Sequence, residues 1–163
     1  MPTVTPITPN VGAEISDVDL TAVNDAQADA LRAALIDRKA LVLREQNIST
    51  AQFAAFMQIF GETVKEDLVV EDGNPPEVGA IHIRPDERQR INFWHMDHSF
   101  REHPSPVLAL HADMLPPSGG DTLFTSLEAA YAGLSDRMKA RIEGLHTLHK
   151  ATPTQNTARR YTK

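Results

Sequence analysis

The stretch "PVLALHADMLPPSGGDTLFTS", residues 106–126, decides the fold class. "VLAL" has the dense apolar character of a core strand, and His111 interrupts that run where a hydrogen-bonded core histidine is the ordinary expectation. "PPSGGD" supplies proline and paired glycine for a turn, and "TLF" resumes extended structure. The stretch therefore predicts two strands in tandem, leading into a helix or helix pair over "SLEAAYAGLSDRMKARIEGL", residues 126–145.

Upstream, "INFWHMDHSF" (91–100) and "GAIHIRP" (79–85) also read as extended segments, joined by the charged connection "DERQR". Residues 62–78 are acidic and turn-rich, as a long loop is. Near the start, "TVTPIT" and "GAEIS" are short strands punctuated by Pro and Gly. A helix over 25–38 follows, capped by Asn24 or Asp25, with Ala30, Leu31, Leu35 and Ile36 at helical spacing. "ALVLRE" predicts a buried strand. "ISTAQFAAFMQIFG" predicts a second helix, capped by Ser49 or Thr50 and stopped by Gly61, whose Phe53, Phe56, Met57 and Phe60 form a core-facing stripe. Helices and several short strands around turns predict one α+β domain over residues 1–163, built on a β-sandwich or barrel.

At 163 residues the chain is long enough for one domain with a real core. Its formal net charge of −6 and its scattered Lys and Arg residues argue against a nucleic-acid or anionic-membrane surface. The first residues have no basic or long apolar segment, so a cytoplasmic location is expected. There are no cysteines, so disulfides, thiolate metal sites and a cysteine nucleophile are excluded. A metal would be held by His, Asp or Glu, which suits Fe(II), Mn(II) or Zn(II).

"NFWHMDHSF", residues 92–100, is where such a site is expected. If residues 93–98 form a strand, His95 and Asp97 share one face, while Met96 and His98 point the other way. One imidazole nitrogen and one carboxylate oxygen two residues apart can reach a single ion. An Asp among aromatic residues also needs a cation or hydrogen-bond donors to offset its desolvation. A catalytic iron site of the two-histidine, one-carboxylate type needs one further histidine. "HMDH" also matches the second half of the His-x-His-x-Asp-His signature of metallo-β-lactamase-like hydrolases, but the first histidine of that signature falls at Phe93. His146 and His149, three apart, suit a polar helix face. No phosphate loop or Gly-x-Ser-x-Gly elbow is present.

"WHMDHSF", then "PVLALHADMLPPSGGDTLFTSLEAAYAGLS", then "IEGLHTLH" closely resembles, in that order, the TauD/TfdA family of Fe(II)- and 2-oxoglutarate-dependent dioxygenases. "GAEISDVDL", "ALVLREQNIST" and "FMQIFGE" resemble that family's opening. The resemblance implies a double-stranded β-helix, or jelly roll, with flanking helices. It implies that His95 and Asp97 are the first two iron ligands and that Thr122 contacts the distal carboxylate of 2-oxoglutarate. His98 is expected to support the site without ligating, and Asn92 and Phe100 to line the substrate pocket. The implied reaction hydroxylates a small organic acid of the sulfonate, sulfate ester or aryloxy acid class with 2-oxoglutarate and O2 as co-substrates, releasing succinate and CO2. Glu66 and Val69 stand where taurine-binding residues would be sought, so taurine itself is not expected. A homo-oligomer is expected of the full-length form.

The family's second iron histidine and its 2-oxoglutarate-binding arginine belong to the closing strands. "KATPTQNTARRYTK" offers no match, because Arg159 and Arg160 do not stand at the arginine's place in the order. The expectation is a chain truncated at its C-terminus, with an incomplete jelly roll. The alternative is a catalytically inactive fragment or interaction protein with a partial jelly roll.

Overall fold

The computed structural model describes residues 1–65, 70–71, 73–83 and 93–150. Two compact units divide the chain, one of Met1–Thr63 with His111–Gly144, the other of Val64–Leu110 with Leu145–Lys163.

The first unit contains a three-stranded sheet, β1 (Thr3–Pro6), β2 (Ala13–Ser16) and β3 (Leu41–Val42), in that spatial order. β1 and β2 are antiparallel, with Thr3 opposite Ser16 and Pro6 opposite Ala13. Gly12 closes their connection at a φ of 87°, a region that a side chain disfavours, and its carbonyl accepts the Ile7 N–H at 2.9 Å. β3 lies parallel to β2, with Ala13 opposite Leu41. A parallel neighbour requires a crossover, and α1 (Asp25–Arg38) is that crossover.

Asn24 caps α1 and exchanges hydrogen bonds with Gln27 at 3.0 Å in both directions, a capping box that satisfies two orphan donors. α2 (Thr50–Met57) starts in the same way on Ser49 and Gln52, and a short 3-10 turn over Gln58–Phe60 ends it at Gly61. The core gathers Ile15, Leu20, Leu31, Ala34 and Phe56, with Met57 and Phe60 packed against it. The aromatic stripe of α2 is thus core packing, and Phe56 and Phe60 meet edge to face at 5.8 Å.

α1 differs from its expected face. Leu31 is fully buried, but Ile36 is 73% exposed, and the small residues Ala28 and Ala34 face inward. The buried face of α1 is thus Ala28, Leu31 and Ala34.

The helical expectation over residues 126–145 resolves into α3 (Leu127–Ala132) and α4 (Asp136–Ile142), capped by Ser126 and Ser135. Lys39, at the C-terminus of α1, pairs with Glu128 at 2.7 Å. His111 is hydrogen-bonded as expected, its Nε2 lying 3.1 Å from the Gln46 carbonyl and its ring 5.7 Å from that of Phe53, yet it is exposed. His146 and His149 lie beyond α4 rather than on a helix face, with His149 Nε2 bonded to the Thr147 hydroxyl at 2.8 Å.

The strands expected over 79–85, 91–100, 104–115 and 121–124 are absent from the sheet among the described residues. The described residues of those segments include an isolated bridge at Ala80 and a turn over Asp97–Phe100. Leu110, expected in a core strand, is exposed, as are Leu123 and Phe124. A strand exists by its ladder, and no second ladder forms among the described residues to satisfy these backbones. The expected jelly roll is therefore represented here by a small mixed sheet and helices. No helix of the described residues is long and apolar enough to cross a membrane.

Leu31→Ala should destabilise the protein by about 2–5 kcal/mol in urea unfolding, and Ile36→Ala by no more than about 0.5 kcal/mol. Equal losses would contradict the observed face of α1.

Candidate metal centre

The candidate ligands lie in the second unit. The expected strand over 93–98 is corrected here to a bend at Phe93 and a turn over Asp97–Phe100. In that turn Ser99 N–H donates to the Met96 carbonyl at 3.4 Å and Arg101 N–H to the His98 carbonyl at 2.9 Å. His95 precedes that turn and Asp97 opens it, so the two approach each other without a strand.

His95 Nε2 stands 3.5 Å from Asp97 Oδ1. His95 Nδ1 lies 3.2 Å from the Phe93 carbonyl oxygen. A carbonyl only accepts, so in the neutral ring Nδ1 carries the proton and Nε2 presents its lone pair. That arrangement matches metal-binding histidines, which commonly donate the other ring N–H to a carbonyl or carboxylate. The lone pair and the carboxylate repel unless a proton or cation lies between them. At 3.5 Å the gap is long for a hydrogen bond. An imidazole nitrogen and a carboxylate oxygen are donors of the kind that Fe(II), Mn(II) and Zn(II) take, and these two residues would hold such an ion. Asp97 is half exposed rather than enclosed by aromatic side chains, so desolvation is not what demands a partner.

His98 follows at a φ of 57°, a left-handed conformation that costs a residue with a Cβ about 1–2 kcal/mol. Its ring stands edge-on to Phe100 with centroids 6.2 Å apart, and its Nδ1 lies 3.1 Å from the Ser105 hydroxyl. Ser105 was not legible as a site residue, since "HPSP" carries no signal beyond its prolines. Phe100 is 47% exposed. Asn92, Glu66, Val69, Arg159 and Arg160 lie outside the described residues. Among the described residues no three His, Asp or Glu side chains gather around one point, so His95 and Asp97 stand as a pair. Thr122, in the first unit, is exposed and follows Gly119 and Gly120, both at left-handed φ of 76° and 80°.

His95 and Asp97 form a half-exposed His-x-Asp pair. The chain belongs to the TauD/TfdA family, described as taurine catabolism dioxygenases, whose model matches residues 3–163. The (S)-phenoxypropionate/alpha-ketoglutarate-dioxygenase of Sphingobium herbicidovorans is 26% identical over 98% of this chain and 57% of its own length. The alpha-ketoglutarate-dependent sulfate ester dioxygenase of Pseudomonas putida is 31% identical over 88% of this chain and 48% of its own. A crystal structure of a taurine dioxygenase from Burkholderia xenovorans superposes with a TM-score of 0.74 at 32% identity, covering 93% of this chain and 54% of that one. The chain spans about half the length of these relatives.

Nitrogen-15 NMR of the neutral His95 ring should show the proton on Nδ1 and an unprotonated Nε2. The opposite tautomer would remove the lone pair from the clamp.

Proposed function

We propose that His95 and Asp97 are two of the protein ligands of a Fe(II)- and 2-oxoglutarate-dependent dioxygenase that hydroxylates a small organic acid of the sulfonate, sulfate ester or aryloxy acid class. The observation that carries this reading is the approach of His95 Nε2 to within 3.5 Å of Asp97 Oδ1. Family membership and relatives named for phenoxypropionate, sulfate ester and taurine support the substrate range.

A bound Fe(II) would supply the redox centre at which 2-oxoglutarate and O2 are consumed, with succinate and CO2 released and a substrate C–H bond hydroxylated. His95 holds that ion through Nε2, and the Phe93 carbonyl keeps its tautomer and ring orientation. Asp97 contributes an anionic oxygen that offsets the ion's charge. Thr122 donates its hydroxyl proton to the distal carboxylate of 2-oxoglutarate, a charge-assisted hydrogen bond. Asn92 and Phe100 line the substrate pocket, and His98 braces the turn. The family's double-stranded β-helix is the proposed frame of the whole enzyme.

The polypeptide carrying these residues, supplied with Fe(II), 2-oxoglutarate and O2, should form succinate in a substrate-stimulated reaction across a panel of sulfonates, sulfate esters and aryloxy acids. His95→Ala should lower turnover by at least about 100-fold. Turnover that survives His95→Ala would reject the clamp, and no turnover with any member of the panel would reject the substrate class.

A further inference from the structure

We infer that the Phe93 side chain is a positioning group for His95: its ring meets the imidazole and keeps the orientation in which Nε2 stands toward Asp97. The inference rests on the metal-clamp reading above. Aromatic rings attract one another in tilted or offset arrangements at centroid separations of about 4.5–7 Å. The Phe93 and His95 rings are 5.6 Å apart, with 59° between their planes. The His95 side chain is 44% exposed and its backbone lies in neither helix nor strand. Staggered rotamers that core packing would exclude therefore stay open to it, and local contacts must select among them.

Phe93 meets the imidazole twice. Its carbonyl oxygen, 3.2 Å from Nδ1, decides which ring nitrogen carries the proton. One bond at one ring atom still lets the imidazole pivot about that atom. The Phe93 ring supplies a second contact that hinders the pivot, so Nε2 keeps its place 3.5 Å from Asp97 Oδ1. Phe93 is itself 66% exposed, so its ring does not serve the core, and its contact with His95 is what a substitution chiefly removes.

Substituting Phe93 leaves the main-chain carbonyl in place and so isolates the ring. The test is NMR of the 163-residue chain, first without metal and then titrated with Mn(II). In the parent, three-bond couplings should show one predominant χ1 rotamer at His95, and its ring protons should give nuclear Overhauser contacts to the Phe93 ring. Phe93→Leu keeps apolar bulk without the aromatic ring. It should leave His95 averaging among rotamers and raise by about fivefold the Mn(II) concentration that half-broadens its imidazole signals. Phe93→Tyr restores the ring and should bring both readings to within about twofold of the parent. Trp94→Leu removes the other aromatic residue adjoining His95 in the chain and should change neither. Parent-like readings in Phe93→Leu, or equal losses in Phe93→Leu and Trp94→Leu, with Asp97→Ala still abolishing the response of His95 to Mn(II), would overturn the positioning role and leave the clamp standing. A parent chain in which His95 does not respond to Mn(II) would overturn the clamp and the inference with it.

Discussion

Two parallel strands cannot be joined by a tight turn, and the pairing of Ala13 with Leu41 imposes that constraint on the first unit. The chain leaves β2, crosses through α1 and returns as β3, and Leu31 is the fully buried pin of that crossover. α2 then lays Phe56 on the same core. Lys39, at the end of the crossover helix, reaches Glu128, and Gln46, just after β3, receives His111. Later segments are thus fastened to a frame that the parallel pair defines. Exposed ion pairs such as Lys39 with Glu128 contribute little energy, so their role is registration more than stability.

The second unit depends on a smaller constraint. Asp97 opens a turn that His95 precedes, and a turn has no ladder to keep it in shape. Backbone bonds from Ser99 to Met96 and from Arg101 to His98 close it, the Phe93 carbonyl meets the His95 ring, and Ser105 and Phe100 meet the His98 ring. Both side chains are about half exposed. The strain at His98 is local, in keeping with the tendency of functional sites to hold disfavoured backbone.

What could be read from the sequence followed the range of each interaction. Asn24 with Gln27, and Ser49 with Gln52, bond over three residues, so both helix starts were legible. The aromatic stripe of α2 was legible because its spacing is helical and its side chains are large. α1 misled at Ile36, because alanine marks a face weakly and the buried face runs through Ala28, Leu31 and Ala34. The expected strands over 93–98, 106–111 and 121–124 failed because a strand is completed by a partner far away in the chain, which local alternation does not specify. His95 and Asp97 were legible as a pair, yet by the wrong device. The Ser105 tie and the His111 anchor join residues that no periodicity links.

Paramagnetic broadening tests the central claim most directly, because it reports which side chains meet the ion without requiring turnover. On titration with Mn(II), the imidazole signals of His95 should broaden first, and Asp97→Ala should remove that preference. Broadening that begins at His103, His146 or His149, or that persists at His95 unchanged in Asp97→Ala, would contradict a clamp formed by His95 and Asp97.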